Sequence, residues 1–364
     1  MKTLLFTFVN LVISTSLLAS ELPRYDDGAR WAFVSGKNTR QVAVVDTFKY
    51  QLAGYIELKA EPTEMAVSDV QDLLVYIDGK TAKVYSYDLI KHTHSEMTVA
   101  GVPSQITFHA DGAELAVALH NQIALIKPLQ QEYVTSIDGL TSPFSMNYDN
   151  GGYNLYITEA NSGKTTIYRT HDGKRASLQL GSGHVSDITL SPDARLAMVS
   201  DHLSRSVYVW DLFSGDHYHS YPMDSEPWRP YVSSDAEHMV FVSEAGQVQV
   251  FNTWSGALVN QFTIEGGPKS IRTGWLETIG IVESAHSLNI FTLAENTPIT
   301  QLPLTAPLNE VVVVSDSKTL FATQKDRSEL LIYDIRFNQR RADIDTGLKN
   351  PQHLVMGITN TVCH

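Results

Sequence analysis

The chain has 364 residues, of which 43% are hydrophobic and 18% are charged, so its composition favours a packed globular core over disorder. With 27 basic and 40 acidic residues, the net charge of −13 argues against binding to nucleic acid or to anionic membrane surfaces. Because Cys363 is the single cysteine, an intramolecular disulfide is excluded.

The first twenty residues have the features of a secretory signal peptide. A basic residue, Lys2, precedes a mostly apolar run over Leu4–Leu18, and the small residues Ala19 and Ser20 follow. We therefore expect residues 1–20 to be removed and the mature protein to be periplasmic or secreted. An uncleaved membrane anchor is the alternative. No later stretch is long and apolar enough to span a bilayer, so we expect no membrane span after signal removal.

From residue 31 onward, short apolar strands recur with a fixed period. The end of the third strand in each copy marks the register, at Asp46, Asp88, Pro128, Thr170, Asp211, Asn252, Thr292 and Asp334. Neighbouring marks are 40 to 42 residues apart. A period near 40 that is built from four short strands is typical of a β-propeller.

The copy over His184–His219 shows the unit most clearly. Apolar runs at Ile188–Leu190, Leu196–Ser200 and Val207–Trp210 are separated by turn sequences, and a fourth strand can follow over His219–Tyr221. Each run is too short for a helix and is bounded by turn residues, which indicates strands. This copy lacks a proline at its start. Each of the seven remaining copies has one before its first strand, at Pro62, Pro103, Pro143, Pro227, Pro268, Pro307 and Pro351.

The two ends of the repeat region complement each other. Residues 31–58 lack an innermost strand, whereas residues 350–360 supply one strand and nothing after it. We predict an all-β fold in one domain over 21–364: an eight-bladed β-propeller of four-stranded blades, closed by the C-terminal strand. Seven blades is the alternative if the copy around Pro128 is misread. The predicted blades are 31–58 with 350–360, 62–98, 102–138, 142–180, 184–222, 226–264, 268–304 and 308–346.

Propeller geometry brings the start of each innermost strand to the mouth of the central channel. The residue at this position is polar in all eight copies, and we call the set the mouth ring: Glu64, Gln105, Ser145, Asp187, Arg229, Ser270, Asn309 and His353. The residue that follows is mostly apolar. A concave mouth lined by polar groups either holds water or binds a ligand, and both interpretations stay open.

Histidine adds a metal hypothesis at the same end of the propeller. Five histidines are expected there, namely His120, His184, His202, His286 and His353. Imidazole is a common zinc ligand, and the carboxylates of Glu64 and Asp187 could complete a tetrahedral site. No local metal motif is present, so the ligands would have to converge from different blades.

One blade connection is unusual in its chemistry. Trp228 and Arg229 place an aromatic ring and a guanidinium at the mouth, which suits an anionic ligand or a protein contact. Gln105 and Asn309 would belong to the same ligand-facing or partner-facing surface. Packing of the Trp228 ring over a blade interface is the alternative.

Several segments resemble a known superfamily. ITLSPDARLAMVSD and ITFHADGAELAVAL, with third strands such as VYVWDLFSG and VAVVDT, resemble the bacterial YVTN/WD40-like propellers. That superfamily includes haem d1 domains, amine dehydrogenase propeller subunits and AztD-type periplasmic zinc chaperones. The resemblance covers roughly residues 31–360 and implies a propeller that binds zinc or, alternatively, haem. For haem it implies an axial histidine, for which His353 and His184 are the candidates.

Two sequence motifs that are typical of enzymes are absent. The sequence has neither a Gly-rich phosphate loop nor a GxSxG nucleophile turn, which favours a non-enzymatic protein. We expect a periplasmic binding or scaffold propeller that holds a metal ion, a small ligand or a protein partner at the channel mouth. The alternative is a propeller subunit of a redox enzyme that resembles the haem d1 or amine dehydrogenase propellers.

Overall fold

The structure is a computed structural model. It describes residues 24–26, 30–142, 144–233, 235–268, 270–274, 279–293, 299–313 and 318–357, with only the backbone of 270–274. The predicted signal peptide, residues 1–20, and Cys363 lie outside the described residues. Across the described ranges the chain forms strands and turns, and it contains no helix long and apolar enough to cross a membrane.

The strands fall into eight antiparallel sheets of four, which are the blades. Strands of the first four blades are β1 Trp31–Gly36, β2 Gln41–Asp46 and β3 Gln51–Glu57; β4 Glu64–Ser68, β5 Leu73–Ile77, β6 Lys83–Asp88 and β7 His94–Thr98; β8 Gln105–Phe108, β9 Leu115–Ala118, β10 Gln122–Lys127 and β11 Glu132–Asp138; β12 Phe144–Tyr148, β13 Asn154–Glu159, β14 Lys164–Arg169 and β15 Arg175–Gln179.

The remaining blades repeat this plan. Their strands are β16 Thr189–Leu190, β17 Leu196–Asp201, β18 Ser206–Asp211 and β19 Asp216–Pro222; β20 Tyr231–Val232, β21 His238–Val242, β22 Gln247–Asn252 and β23 Leu258–Thr263; β24 Ser270–Gly274, β25 Ile279–Glu283, β26 Ser287–Thr292 and β27 Thr300–Pro303; β28 Leu308–Val313, β29 Thr319–Gln324, β30 Glu329–Asp334 and β31 Gln339–Asp345; and β32 Pro351–Met356.

The last strand closes the ring. β32 pairs antiparallel with β1, with Leu354 opposite Val34 and Val355 opposite Phe33, and so forms the innermost strand of the first blade. The copy that contains Pro128 forms a complete blade, β8 to β11. The prediction of eight blades with a composite first blade is therefore confirmed, and seven blades is wrong.

The hydrophobic core is divided among the blade interfaces. Eight clusters of buried side chains are present, and each joins two neighbouring blades. Phe33 of β1 packs with Leu74 of the second blade, whereas Ala32 beside it packs with Phe321 of the eighth. Because both faces of each sheet are covered, the central strands are continuously apolar instead of alternating.

The direction of the strands defines two ends. First strands run away from the channel mouth, so the blade connections and the turns between second and third strands lie at the mouth end. Turns between first and second strands, and between third and fourth strands, lie at the opposite end, which we call the far end. There the Oγ of Ser68 donates to the carbonyl of Gly112 (2.7 Å), and Asn150 Nδ2 donates to the carbonyl of Pro192 (2.6 Å). These bonds tie neighbouring blades together.

We expect Leu354→Ala to destabilise the closed ring. Leu354 is 3% exposed and packs between the first and eighth blades, so its truncation leaves a cavity and should lower the unfolding free energy by about 2–5 kcal/mol. Thermal and urea unfolding would measure this. Tyr153→Ala, at a residue 70% exposed, is the control and should change stability by about 0.5 kcal/mol or less. Equal midpoints for the two variants would show that β32 does not hold the ring.

Candidate ligand site at the channel mouth

Two members of the mouth ring bind the backbone of the next blade. The Oε1 of Glu64 accepts the N–H of Ile106 (3.2 Å), and the Oε1 of Gln105 accepts the N–H of Met146 (3.2 Å). In both pairs the donor is the residue that follows the ring position of the next blade. These side chains therefore link neighbouring innermost strands through hydrogen bonds, a role that the sequence analysis did not predict.

Two further members also join neighbouring blades, with different partners. The Nδ2 of Asn309 donates to the carbonyl of Pro351 (2.7 Å). Arg229 points back to the preceding blade, where its Nη2 donates to the carbonyl of Ile188 (2.9 Å) and its Nε to the Oγ1 of Thr189 (3.1 Å). Polar side chains of the mouth ring thus connect neighbouring blades as well as line the channel.

The charges of the mouth compensate each other. Nη1 of Arg229 lies 4.0 Å from Oδ2 of Asp187, and both side chains are about half exposed. The pKa of Glu64 is raised to about 7, mainly by burial and to a smaller extent by the negative charge of Asp187, three blades away. That influence means that carboxylates from separate blades share the mouth. Near neutral pH, Glu64 is only partly ionised, so the mouth carries little net charge.

His353 differs from the other charged or amide members of the ring. It is half-buried in β32, and burial lowers the pKa of its imidazole below the ordinary value, so the imidazole is neutral at pH 7. No hydrogen bond joins the imidazole to any other residue that the structure describes. Neutral imidazole has a lone pair on one nitrogen, which makes this side chain a potential metal ligand.

The other predicted histidines lie at the mouth end but are dispersed. His120 and His286 are exposed on turns of the third and seventh blades. In the fifth blade the carbonyl of His184 accepts the N–H of His202 (3.1 Å), so these two residues are adjacent through the backbone. Nδ1 of His202 lies 3.4 Å from Oε2 of Glu226. Glu226 was missed by sequence reasoning; its place in the connection before Trp228 was the available signal.

The predicted zinc ligands are not assembled into one site. Among the described residues, one group of three ligand-type side chains has its donor atoms within 4.8 Å of one another, and it consists of Asp235, Glu237 and His238. That group lies at the far end, on the turn between β20 and β21. The side chains proposed for zinc at the mouth, all described, form no such group in this conformation.

Trp228 packs as the alternative interpretation proposed. Its half-buried indole lies against the hydrophobic cluster between the sixth and seventh blades, and its carbonyl accepts a hydrogen bond from Ser200 Oγ. Arg229, the next residue, remains about half exposed at the mouth. Of this connection, the guanidinium is the more exposed group.

Comparison with known proteins shows the fold. No family model and no curated protein matches the sequence. The dihydro-haem d1 dehydrogenase NirN, solved in complex with DHE, is similar in structure with a TM-score of 0.75 at 15% identity, covering 94% of this chain and 78% of that one. A functionally unknown protein from Desulfotomaculum acetoxidans has a TM-score of 0.61 at 13% identity, covering 90% of this chain and 98% of that one.

A third solved structure agrees. The hydrazine synthase of Kuenenia stuttgartiensis has a TM-score of 0.55 at 14% identity, with 79% of this chain and 96% of that chain covered. At these identities the likeness concerns the fold, an eight-bladed β-propeller. Membership of the YVTN/WD40-like superfamily stays a prediction.

Titration of Glu64 should make stability depend on pH. Because the pKa of Glu64 in the folded protein is about 7, above its ordinary value, the folded state holds this proton more tightly than the unfolded state. The stabilisation of the folded state by this proton is therefore fully present at about pH 4 and is lost as the pH rises through 7. We expect the loss in unfolding free energy to be about 1–3 kcal/mol, a range that allows for partial solvent access to the carboxyl group.

The comparison of wild type with Glu64→Gln isolates this effect, since glutamine keeps an oxygen acceptor for the N–H of Ile106 and has no proton to lose. Urea unfolding between about pH 5 and pH 8 should show the wild type losing stability relative to the variant. Glu265→Gln controls for the loss of one negative charge at an exposed position. Parallel curves for wild type and Glu64→Gln would contradict the assignment.

Proposed function

We propose that the protein is a periplasmic or secreted binding propeller that holds an iron tetrapyrrole of the haem d1 class at the channel mouth. The observation that carries the proposal is His353: a neutral, half-buried imidazole on the innermost strand, without a hydrogen-bond partner among the described residues. NirN, which shares the fold, is a dihydro-haem d1 dehydrogenase solved in complex with DHE, and this likeness supports the choice of ligand.

The residues of the mouth fit such a group. His353 would hold the iron through an imidazole nitrogen, which must be unprotonated, and the lowered pKa of His353 meets that requirement at neutral pH. Arg229 would pair with a carboxylate of the macrocycle in exchange for Asp187, whose distance of 4.0 Å leaves that ion pair loose. Partial protonation of Glu64 reduces the repulsion that an anionic ligand would meet.

When bound, an iron tetrapyrrole supplies electron transfer and strong visible absorption. The part played by this chain is to bind and orient it. Hydrogen bonds such as those from Ile106 to Glu64 and from Asn309 to Pro351 hold the innermost strands in fixed register, which would preorganise the imidazole of His353. Nothing in the residues of the mouth requires the chain to carry out a reaction, and we propose a carrier or a subunit of a larger redox complex.

Export is the second part of the proposal. The apolar run Leu4–Leu18 after Lys2, with small residues following, supports a signal peptide and hence a periplasmic or secreted location. A zinc-binding version, resembling the zinc chaperones, is less favoured because no three of its predicted ligands come together. The fifth blade, with His184, His202 and Glu226, is where such a site would have to form.

Binding of iron protoporphyrin IX tests the proposal. Wild-type protein should shift the Soret band and bind the probe, whereas His353→Ala should weaken binding about tenfold or more and alter the spectrum. Arg229→Ala should weaken binding about three- to tenfold without changing the iron ligation. His286→Ala, an exposed histidine of the same end, is the matched control and should bind as wild type does.

Added imidazole separates ligation from misfolding. In His353→Gly, millimolar imidazole should restore the wild-type Soret position, because it replaces the missing ligand. Identical affinity and spectrum for wild type and His353→Ala would refute the haem site. Retention of about one zinc per chain that is lost in a His184→Ala/His202→Ala variant would favour the zinc version instead.

A further inference from the structure

At the far end, opposite the proposed ligand site, exposed apolar side chains recur at one structural position. In five blades the turn between the third and fourth strands presents such a side chain two or three residues after the third strand ends. We call these residues the rim: Phe48, Leu129, Phe213, Trp254 and Phe337, with exposed fractions of 66%, 42%, 81%, 45% and 58%. Four of the five are aromatic.

The turn chemistry holds these side chains outward. The N–H of Phe48 donates to the Oδ1 of Asp46 (3.1 Å), the N–H of Phe213 to the Oδ1 of Asp211 (2.9 Å), and the N–H of Trp254 to the Oδ1 of Asn252 (3.2 Å). A side-chain oxygen that fixes the backbone two residues later is a recurrent device of tight turns. The rim is therefore built into the repeat and is not a set of scattered exposed residues.

At three of the five rim turns the carboxylate that ends the third strand is paired with an arginine. The nitrogen–oxygen distances are 2.7 Å for Arg30 with Asp46, 3.2 Å for Arg195 with Asp211, and 2.8 Å for Arg336 with Asp334. The same cations lie near the rings: the Arg195 guanidinium is 5.6 Å from the centroid of Trp254, and that of Arg336 is 4.9 Å from Phe337. Aromatic rings with arginines among them are typical of side chains at the interface of a bilayer with water.

The described residues nearest the N-terminus, 24–26, lie at this end. Tyr25 is 1% exposed, and its N–H donates to the carbonyl of Leu89 (3.2 Å), in the third-to-fourth strand turn of the second blade. Leu4–Leu18, the apolar run, ends seven residues before Tyr25, a distance of at most about 25 Å when extended. If this run is kept as an anchor, the alternative to a cleaved signal peptide, it would hold the rim facing the bilayer.

We propose that the rim docks the far end of the propeller onto the surface of a phospholipid bilayer. Its side chains are spread around the edge of one end of a ring, so a plane can contact all five of these blades at once. The net charge of −13 argues against strongly anionic lipid, so we assign a mainly zwitterionic surface. Docked in this way, the propeller presents its channel mouth away from the membrane, open to a soluble ligand or partner.

Bilayer contact is tested with the full chain on vesicles of phosphatidylethanolamine and phosphatidylcholine, some with brominated acyl chains. We expect bromine to quench part of the tryptophan emission of wild type, and that part to be missing in Trp254→Phe. This difference reports contact at Trp254 even when the N-terminal segment also binds the vesicle. Quenching that is unchanged in Trp254→Phe would overturn the proposal.

Affinity gives the second measurement. The double variant Phe213→Ser/Trp254→Ser should lower vesicle binding in flotation about tenfold, because two large apolar side chains no longer reach the interface. Its melting temperature should not fall, since both residues are exposed. Leu203→Ser, at a residue 67% exposed on the mouth end, is the matched control and should bind as wild type does. Loss of a dimer in the double variant, with no vesicle binding by wild type, would show that a second copy covers the rim and would overturn the proposal.

Discussion

Burial of both faces of every blade is the constraint on which the structure depends. Phe33 and Ala32, neighbours on one strand, belong to different hydrophobic clusters because their side chains leave opposite faces of the sheet. A blade alone would expose both faces, and a row of blades would expose one face at each end. The pairing of β32 with β1 removes those two exposed faces at once, by making the first blade and the eighth neighbours.

Closure also explains the polar character of the channel mouth. Innermost strands converge there, and their backbone groups need partners that the sheets do not provide. Glu64 and Gln105 satisfy backbone N–H groups of the next blade, whereas Asn309 and Arg229 satisfy carbonyls. At these four positions of the mouth ring the polar side chain therefore has a structural role. His353 has no such bond among the described residues and carries a neutral imidazole, which together make it the ring residue best suited to bind a ligand.

The two ends of the propeller are chemically different. The mouth end combines a neutral imidazole, a half-exposed guanidinium and a carboxyl group of raised pKa, which suits a specific ligand. The far end combines exposed rings with paired charges, which suits an extended apolar surface. Because each blade contributes a turn to both ends, one repeated unit supplies two independent surfaces, and substitutions at one end should leave the other unchanged.

The sequence by itself determined the fold. Strand length, turn residues and the period of 40 to 42 residues are local signals, and the composite first blade followed from the unpaired strand at each end. It also raised the packing alternative for Trp228.

Only the tertiary structure decided what the ring residues do. The bonds from Glu64 to Ile106 and from Arg229 to Ile188 join residues about 40 positions apart, and the raised pKa of Glu64 reflects burial and the charge of Asp187 three blades away. The separation of the predicted zinc ligands is decided in the same way. Such distances depend on how neighbouring sheets are tilted and spaced, which the repeat period does not encode, so a list of polar residues at one end of a propeller does not by itself define a site.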